Sequence, residues 1–320
     1  MHPPGPRLDE SANTVCARIS GPAFAGPFLF TMPSNAPIGV FDSGLGGLSV
    51  LQAVRALLPH ESLLYVADSH FAPYGERSDT FLEQRSVAIG RWLREHGAKA
   101  LVVACNTATA HGVAALRADA PWPVVGVEPG IKPAAAASRS GVIGVLATAA
   151  TLRSTRFADL LARHTAQGQR FLCQPGIGLV DRIEAGDVDS PEVMALLDRY
   201  VTPMVAQGAD TLVLGCTHYP FLIPAIEQRF GAALTLVDTG AAIARQLQRR
   251  LQADDLEAPA TPGNAPARGD LRLFTTANAE ALQTMADRLL PDTPRVQTVE
   301  IASESPPTLD LPSNLPIIPA

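Results

Sequence analysis

Two stretches of this chain nearly repeat one another. HGAKALVVACNT (His96–Thr107) parallels QGADTLVLGCTH (Gln207–His218), with Cys105 and Cys216 in register at an offset of 216 − 105 = 111. A second pair runs at nearly the same offset, VVGVEPG (Val124–Gly130) against LTLVDTG (Leu234–Gly240). A looser third sets PIGVFDSG from Pro37 against GVIGVLAT from Gly141. Three matches in one order predict two similar structural halves.

Each half alternates short apolar runs with amphipathic stretches. The runs lie at Ile38–Phe41, Leu63–Val66, Leu101–Ala104, Val124–Val127, Val142–Leu146, Thr211–Leu214 and Leu234–Val237. Thr80–His96, Pro191–Gln207 and Gly240–Leu251 have helical spacing between them. Strands apolar on both faces, separated by helices, predict α/β architecture with parallel sheets covered on both sides. With 320 residues, 47% hydrophobic and 18% charged, the chain has room for two such domains and the composition to fill them. Ligands of open parallel sheets bind beyond the carboxyl ends of the strands. Two halves facing one another would therefore set Cys105 and Cys216 on opposite sides of one cleft.

The rest of the chain narrows the function classes. A net charge of −6 without a basic run argues against a nucleic-acid binder. No apolar stretch approaches a membrane span. Phe24–Phe30 is short, broken by Gly26 and Pro27, and lacks the charged start and cleavage site of a secretory signal, so a cytoplasmic location is expected. The four cysteines, Cys16, Cys105, Cys173 and Cys216, are widely spaced with no CxxC pair, which fits thiols rather than zinc ligands. Residues 1–35 read as a disordered N-terminal extension, with Met32 a candidate start. Residues 254–270 read as a surface loop and 303–320 as a Pro-rich tail.

A lone cysteine is most often a small buried hydrophobe. Two in matched positions across a cleft are what inversion of a stereocentre requires. One thiolate removes an acidic C–H proton from one face, and a thiol returns a proton to the other. The α-proton of an amino acid is weakly acidic, so hydrogen-bond donors must also stabilise the developing charge. Asn106, Thr107 and Thr217, adjoining the cysteines, are candidates. Asp42, in the turn Phe41–Gly47, either orients or deprotonates a thiol or caps the following helix. That glycine-rich turn lacks the lysine of a P-loop and the GxGxxG spacing, so nucleotide binding is a poor reading. After Asp68, the loop Ala72–Gly75 either offers backbone N–H groups to a substrate carboxylate or is an ordinary turn. His218 either assists proton transfer at Cys216 or is structural.

GVFDSGLGGLSV (Gly39–Val50), APYG (Ala72–Gly75), ACNTATA (Ala104–Ala110), GVEPGIKPA (Gly126–Ala134) and LGCTHYP (Leu214–Pro220) together resemble the glutamate racemases of the aspartate/glutamate racemase superfamily. VDTGAAIAR (Val237–Arg245) and FTTANAE (Phe274–Glu280) extend the likeness, which covers roughly residues 36–302. The resemblance implies interconversion of L- and D-glutamate, supplying D-glutamate for peptidoglycan, without pyridoxal phosphate or metal. By position, Cys105 would take the α-proton from D-glutamate and Cys216 from L-glutamate, with Asp42 and His218 beside them. Ser43, Tyr74, Gly75, Asn106, Thr107, Thr217 and His218, together with Asp42, would form the substrate-binding set. Glu184 matches an acidic residue near the cleft, although a solvated helix carboxylate is an equal reading.

The family's fold is two pseudo-symmetric doubly wound parallel-sheet domains with the active site in the cleft between them. On this chain the first domain would comprise 36–128 plus 239–302, its strand Leu271–Thr275 included, and the second 129–238. A homodimer is plausible from the family alone. Departures are the Gln174 that separates Cys173 from Pro175 and the Ala147 standing where Gly is common. Three rivals remain: a racemase of aspartate or a related amino acid, a regulatory binding protein of the gyrase-inhibitor type on the same scaffold, and a redox protein with a Cys105–Cys216 disulfide.

Overall fold

The computed structural model describes residues 34–119, 122–165, 167–259 and 268–302. Most of the expected N-terminal extension, Met32, the centre of the 254–270 loop and the 303–320 tail fall outside them. The chain runs β1 (Ile38–Asp42), α1 (Leu48–Leu57), β2 (Leu63–Ala67), α2 (Asp79–Glu95), β3 (Ala100–Val103), α3 (Asn106–Asp119) and β4 (Val124–Gly126). It continues through α4 (Ile131–Ala137), β5 (Val142–Ala147), α5 (Ala149–Arg153), α6 (Thr155–Thr165), β6 (Arg170–Pro175), α7 (Leu179–Glu184), α8 (Pro191–Ala206), β7 (Thr211–Gly215), α9 (Ile223–Phe230) and β8 (Thr235–Val237). It closes with α10 (Gly240–Ala253), β9 (Leu271–Thr275), α11 (Ala279–Leu289) and β10 (Gln297–Thr298).

The strands form two parallel sheets, ordered β10-β9-β2-β1-β3-β4 and β6-β5-β7-β8. Side chains alternate across each strand, and both faces are buried. On β3, Ala100 and Val102 join the core beneath α1, α10 and α11, while Leu101 and Val103 join the core beneath α2 and α3. The second sheet likewise has one core against α7, α8 and α9 and another against α4 and α6. This double covering explains the unbroken apolar runs in the sequence and gives the doubly wound α/β fold.

The repeat is a repeat of topology. The order β2-β1-β3-β4 in one sheet corresponds to β6-β5-β7-β8 in the other. Ile38 pairs with Ala100 and Ile143 with Thr211, so Ile38 and Ile143 are counterparts and the loose third match slips by one residue. Leu101 pairs with Val124 and Leu212 with Leu236, which moves the second match by two. Strand β6 lacks a continuous apolar run because it is an edge strand with Arg170 and Cys173 exposed, and β10 is two exposed residues. Helix α8 begins on the N-cap Ser190, whose side chain accepts from Val193 N at 3.2 Å, with Pro191 following.

The amino edge of the first sheet holds a buried ion pair. Lys99 Nζ stands 2.6 Å from Glu61 Oε2, with the two side chains 0% and 2% exposed. Lys99 also donates to the Ser34 carbonyl, and Glu61 Oε1 accepts from Ala258 N at 2.8 Å. The pair thus fastens the segment before β1 and the near end of the 254–270 loop under β2 and β3. Removing one member leaves the other charge buried and unpaired. Lys99→Met is therefore expected to cost about 3–5 kcal/mol in urea unfolding. The double variant Lys99→Met/Glu61→Met should recover much of that loss, and a single variant as stable as wild type would refute the reading.

Candidate active site

The carboxyl ends of the strands in both sheets open onto one cavity. Cys105 follows β3 at the N-terminus of α3, and Cys216 follows β7. Both line the cavity, both are buried, and both are free thiols. The disulfide rival is thereby set aside. Ser43, Tyr74, Gly75, Asn106, Thr107, Thr217 and His218 share the wall with them. Asp42 and Glu184 stand behind it.

Around Cys105 the polar groups come from three elements. Sγ lies 3.5 Å from Ala108 N, an unpaired N–H of the first turn of α3, and 3.6 Å from Ser43 Oγ. Burial and then the charge of Asp42 nonetheless push the Cys105 thiol up, outweighing the Ala108 N–H and Ser43, which favours the protonated thiol. Asp42, fully buried, accepts from Gly44 N at 2.9 Å and from Thr217 Oγ1 at 3.2 Å. Burial raises its carboxyl above the usual range despite the nearby His218 and the Gly44 N–H. Asp42 does not cap a helix: α1 starts after Gly47 with no side-chain cap. Its carboxylate closes the turn and reaches across to the other sheet's loop.

Around Cys216 the partners form a line. Sγ is 3.7 Å from His218 Nδ1, and His218 Nε2 lies 2.5 Å from Glu184 Oε1 and 3.2 Å from Gly46 N. Burial alone would favour the neutral ring. The Cys216 sulfur and the Glu184 carboxylate overcome it and hold the imidazolium well above the usual histidine range. The same Glu184 oxygen accepts from Leu45 N at 2.7 Å, so the histidine and the glycine-rich turn share one acceptor. That closeness depends on glycines. A Cβ on Gly44 would stand 2.0 Å from Glu184 Oε1, and one on Gly46 would stand 2.3 Å from His218 Nδ1.

The candidate donors differ in what they have left to give. Thr217 spends its hydroxyl on Asp42, and Thr107 Oγ1 meets Thr148 Oγ1 at 2.9 Å. Asn106 Nδ2 is buried without a hydrogen-bond partner, which makes it the most available side-chain donor of the three. Tyr74 directs its hydroxyl to Asp68 at 2.5 Å and presents its ring to the cavity wall. Sequence reasoning missed Thr148, which lines the cavity and shares hydrogen bonds with Thr107 and Thr151. It also missed Tyr65, whose hydroxyl donates to Gly44 O at 2.8 Å and steadies the glycine turn. Thr148 is the counterpart of Ser43 once Ile38 is matched to Ile143, a signal present in the repeat but masked by the one-residue slip. Among the described residues no cluster of three His, Cys, Asp or Glu is placed to hold a metal ion, and no helix is long and apolar enough to cross a membrane.

This arrangement can be compared with known proteins. The sequence profile of the family described as Asp/Glu/Hydantoin racemase matches residues 48–247. The chain is similar to the glutamate racemase of Cupriavidus pinatubonensis, 57% identical over 83% of this chain and 96% of that one. It is similar in structure to Escherichia coli glutamate racemase solved with L-glutamate and the activator UDP-MurNAc-ala, with a TM-score of 0.72 and 35% identity, covering 83% of this chain and 99% of that one. Francisella tularensis glutamate racemase in complex with D-glutamate gives a TM-score of 0.71 at 25% identity, covering 84% and 99%. On its fold, its cavity and these likenesses, the chain belongs to the Asp/Glu/hydantoin racemase family and is an amino-acid racemase.

Proposed function

We propose that this racemase interconverts L- and D-glutamate by proton exchange between Cys105 and Cys216. The observation that carries the reading is the pair of free thiols lining one cavity, each following an equivalent strand of its own sheet. The glutamate racemases bound to L-glutamate and to D-glutamate support the choice of substrate. In one direction the Cys216 thiolate takes the α-proton of L-glutamate, leaving the C–H electron pair as a carbanion delocalised into the carboxylate. The Cys105 thiol then protonates the opposite face and becomes the thiolate. The reverse direction starts from Cys105 and D-glutamate.

The two ends need different help. Cys105 begins protonated, which suits it to donate in the L-to-D direction. To act as a base it must give up that proton, and Asp42, a carboxyl made more basic by burial, is the neighbouring group able to take it. A substrate α-ammonium entering the cavity would stabilise the Cys105 thiolate once formed. His218, kept charged by the Cys216 sulfur and by Glu184, can stabilise the Cys216 thiolate and donate a proton to it. Asn106 Nδ2 and the amides at the start of α3 supply donors for the developing negative charge. D-Glutamate formed in this way would serve peptidoglycan synthesis.

Exchange with L-glutamate in D2O tests the proton path. Wild type should racemise and deuterate the α-carbon, while Cys105→Ser and Cys216→Ser should each lose at least about 100-fold in kcat for both directions. Racemisation undiminished without either thiol would overturn the mechanism, and faster turnover of L-aspartate would move the substrate assignment.

The His218 pair makes a separate prediction about pH. Its raised pKa adds stability that is full below the ordinary histidine range and fades as pH rises through the folded value. Replacing Glu184 by Gln should bring the His218 titration, followed by NMR, down towards the ordinary range. The stability gap between wild type and Glu184→Gln should be wide near pH 6 and narrow on the alkaline side. A gap that widens with pH would contradict the assigned charge state.

A further inference from the structure

Asp68, the residue after β2, has no part in the proton exchange, yet it is among the most heavily bonded side chains near the cavity. Its fully buried carboxylate accepts from Tyr74 OH at 2.5 Å, from Arg85 Nε at 2.8 Å and Nη2 at 2.6 Å, and from Thr276 Oγ1 at 2.9 Å. Its N–H donates to the Asp42 carbonyl at 2.9 Å, and its carbonyl accepts from Phe71 N at 3.0 Å. Arg85, buried on α2, donates through Nη1 to the Ile301 carbonyl at 2.6 Å and sits 4.6 Å from the centre of the Phe71 ring. The end of β1, the 69–76 loop, α2 and the chain beyond β9 therefore meet at one ion pair.

A buried Arg–carboxylate pair is a poor device for stability alone, since an apolar pair of similar volume usually serves as well. Its yield here is geometric. Bidentate pairing with Arg85 fixes the plane of the Asp68 carboxylate, which fixes the Tyr74 hydroxyl. Burial and the Asp68 charge also keep the phenol protonated, so it remains a donor. Tyr74 and Gly75 are part of the cavity wall, and a Cβ on Gly75 would lie 3.4 Å from Thr148 Cβ of the opposite wall. With the hydroxyl committed to Asp68, this loop offers a ligand its main chain and the tyrosine ring. A shift of Tyr74 would move that wall directly.

We propose that Asp68 and Arg85 are positioning residues for racemisation: their buried ion pair holds the Tyr74 hydroxyl and so sets the Pro73–Gly75 main chain at the distance that binds substrate. The role rests on the racemase reading of the cavity. It acts on substrate binding more than on proton transfer, because none of these groups adjoins either sulfur by hydrogen bond.

The test is steady-state kinetics in both directions with glutamate for Tyr74→Phe, Asp68→Asn, Arg85→Met and Arg85→Lys. Tyr74→Phe deletes one oxygen and should fold; it is expected to raise KM about fivefold to tenfold with kcat within about twofold. Asp68→Asn should raise KM further, and Arg85→Lys should recover part of what Arg85→Met loses. Because mirror-image substrates have an equilibrium constant of one, kcat/KM must fall equally in both directions. Lys99→Met, at the opposite edge of the sheet, provides the structural control: it should lower Tm and leave KM unchanged. Folded Tyr74→Phe and Asp68→Asn with wild-type KM, or with kcat lost at constant KM, would overturn the positioning role alone. A wild type inert on glutamate would overturn the substrate reading and this role with it.

Discussion

One oxygen of Glu184 accepts from the backbone of Leu45 and from the ring of His218, and the site is assembled around that shared contact. Glu184 ends α7 and His218 follows β7, so both belong to the second sheet's layer, whereas Leu45 lies in the turn after β1 of the first. A carboxylate can serve two donors at such distances only where no side chain intervenes, and Gly44 and Gly46 leave that space. Thr217 adds a second tie by donating to Asp42, and Ser49 Oγ a third by donating to the Thr217 carbonyl at 3.0 Å. These bonds bring Cys216 to the cavity that Cys105 already occupies. Charge, backbone and glycine geometry thus cooperate at one seam.

The two halves share a scaffold and diverge in chemistry. Equivalent strands deliver equivalent cysteines, yet Cys105 faces a helix N-terminus, a serine and a buried carboxyl, while Cys216 faces an imidazolium backed by Glu184. The position after Cys105 is Asn106 and its counterpart is Thr217; Thr107 corresponds to His218. The repeat conserves where a thiol is placed and leaves open how its proton is managed. A substrate that is itself asymmetric about the α-carbon asks for such a division.

Strand positions were legible because both faces of each inner strand are buried and leave continuous apolar runs. The edge strand β6 was not, since exposed Arg170 and Cys173 and half-buried Gln174 break that run. The cysteines and their neighbours could be read from the repeat, and the glycine turn from its composition. What sequence could not convey was direction. Thr217 and Tyr74 look like ligand donors until their hydroxyls are seen to be taken by Asp42 and Asp68. The Asp68–Arg85 pair spans seventeen residues and a change of element, so no local pattern announces it. Thr148 was hidden for a different reason, a slip of one residue in aligning β1 with β5.

The burial of the two thiols has a kinetic consequence. With Cys105 and Cys216 only 5% and 6% exposed, a bulky electrophile meets neither sulfur in this conformation. Covalent capture then proceeds no faster than the opening that admits the reagent, however nucleophilic a thiolate becomes once reached. The alkylation rate at these two positions, read apart from the exposed Cys173 and at saturating reagent, becomes a clock for the breathing of the cleft.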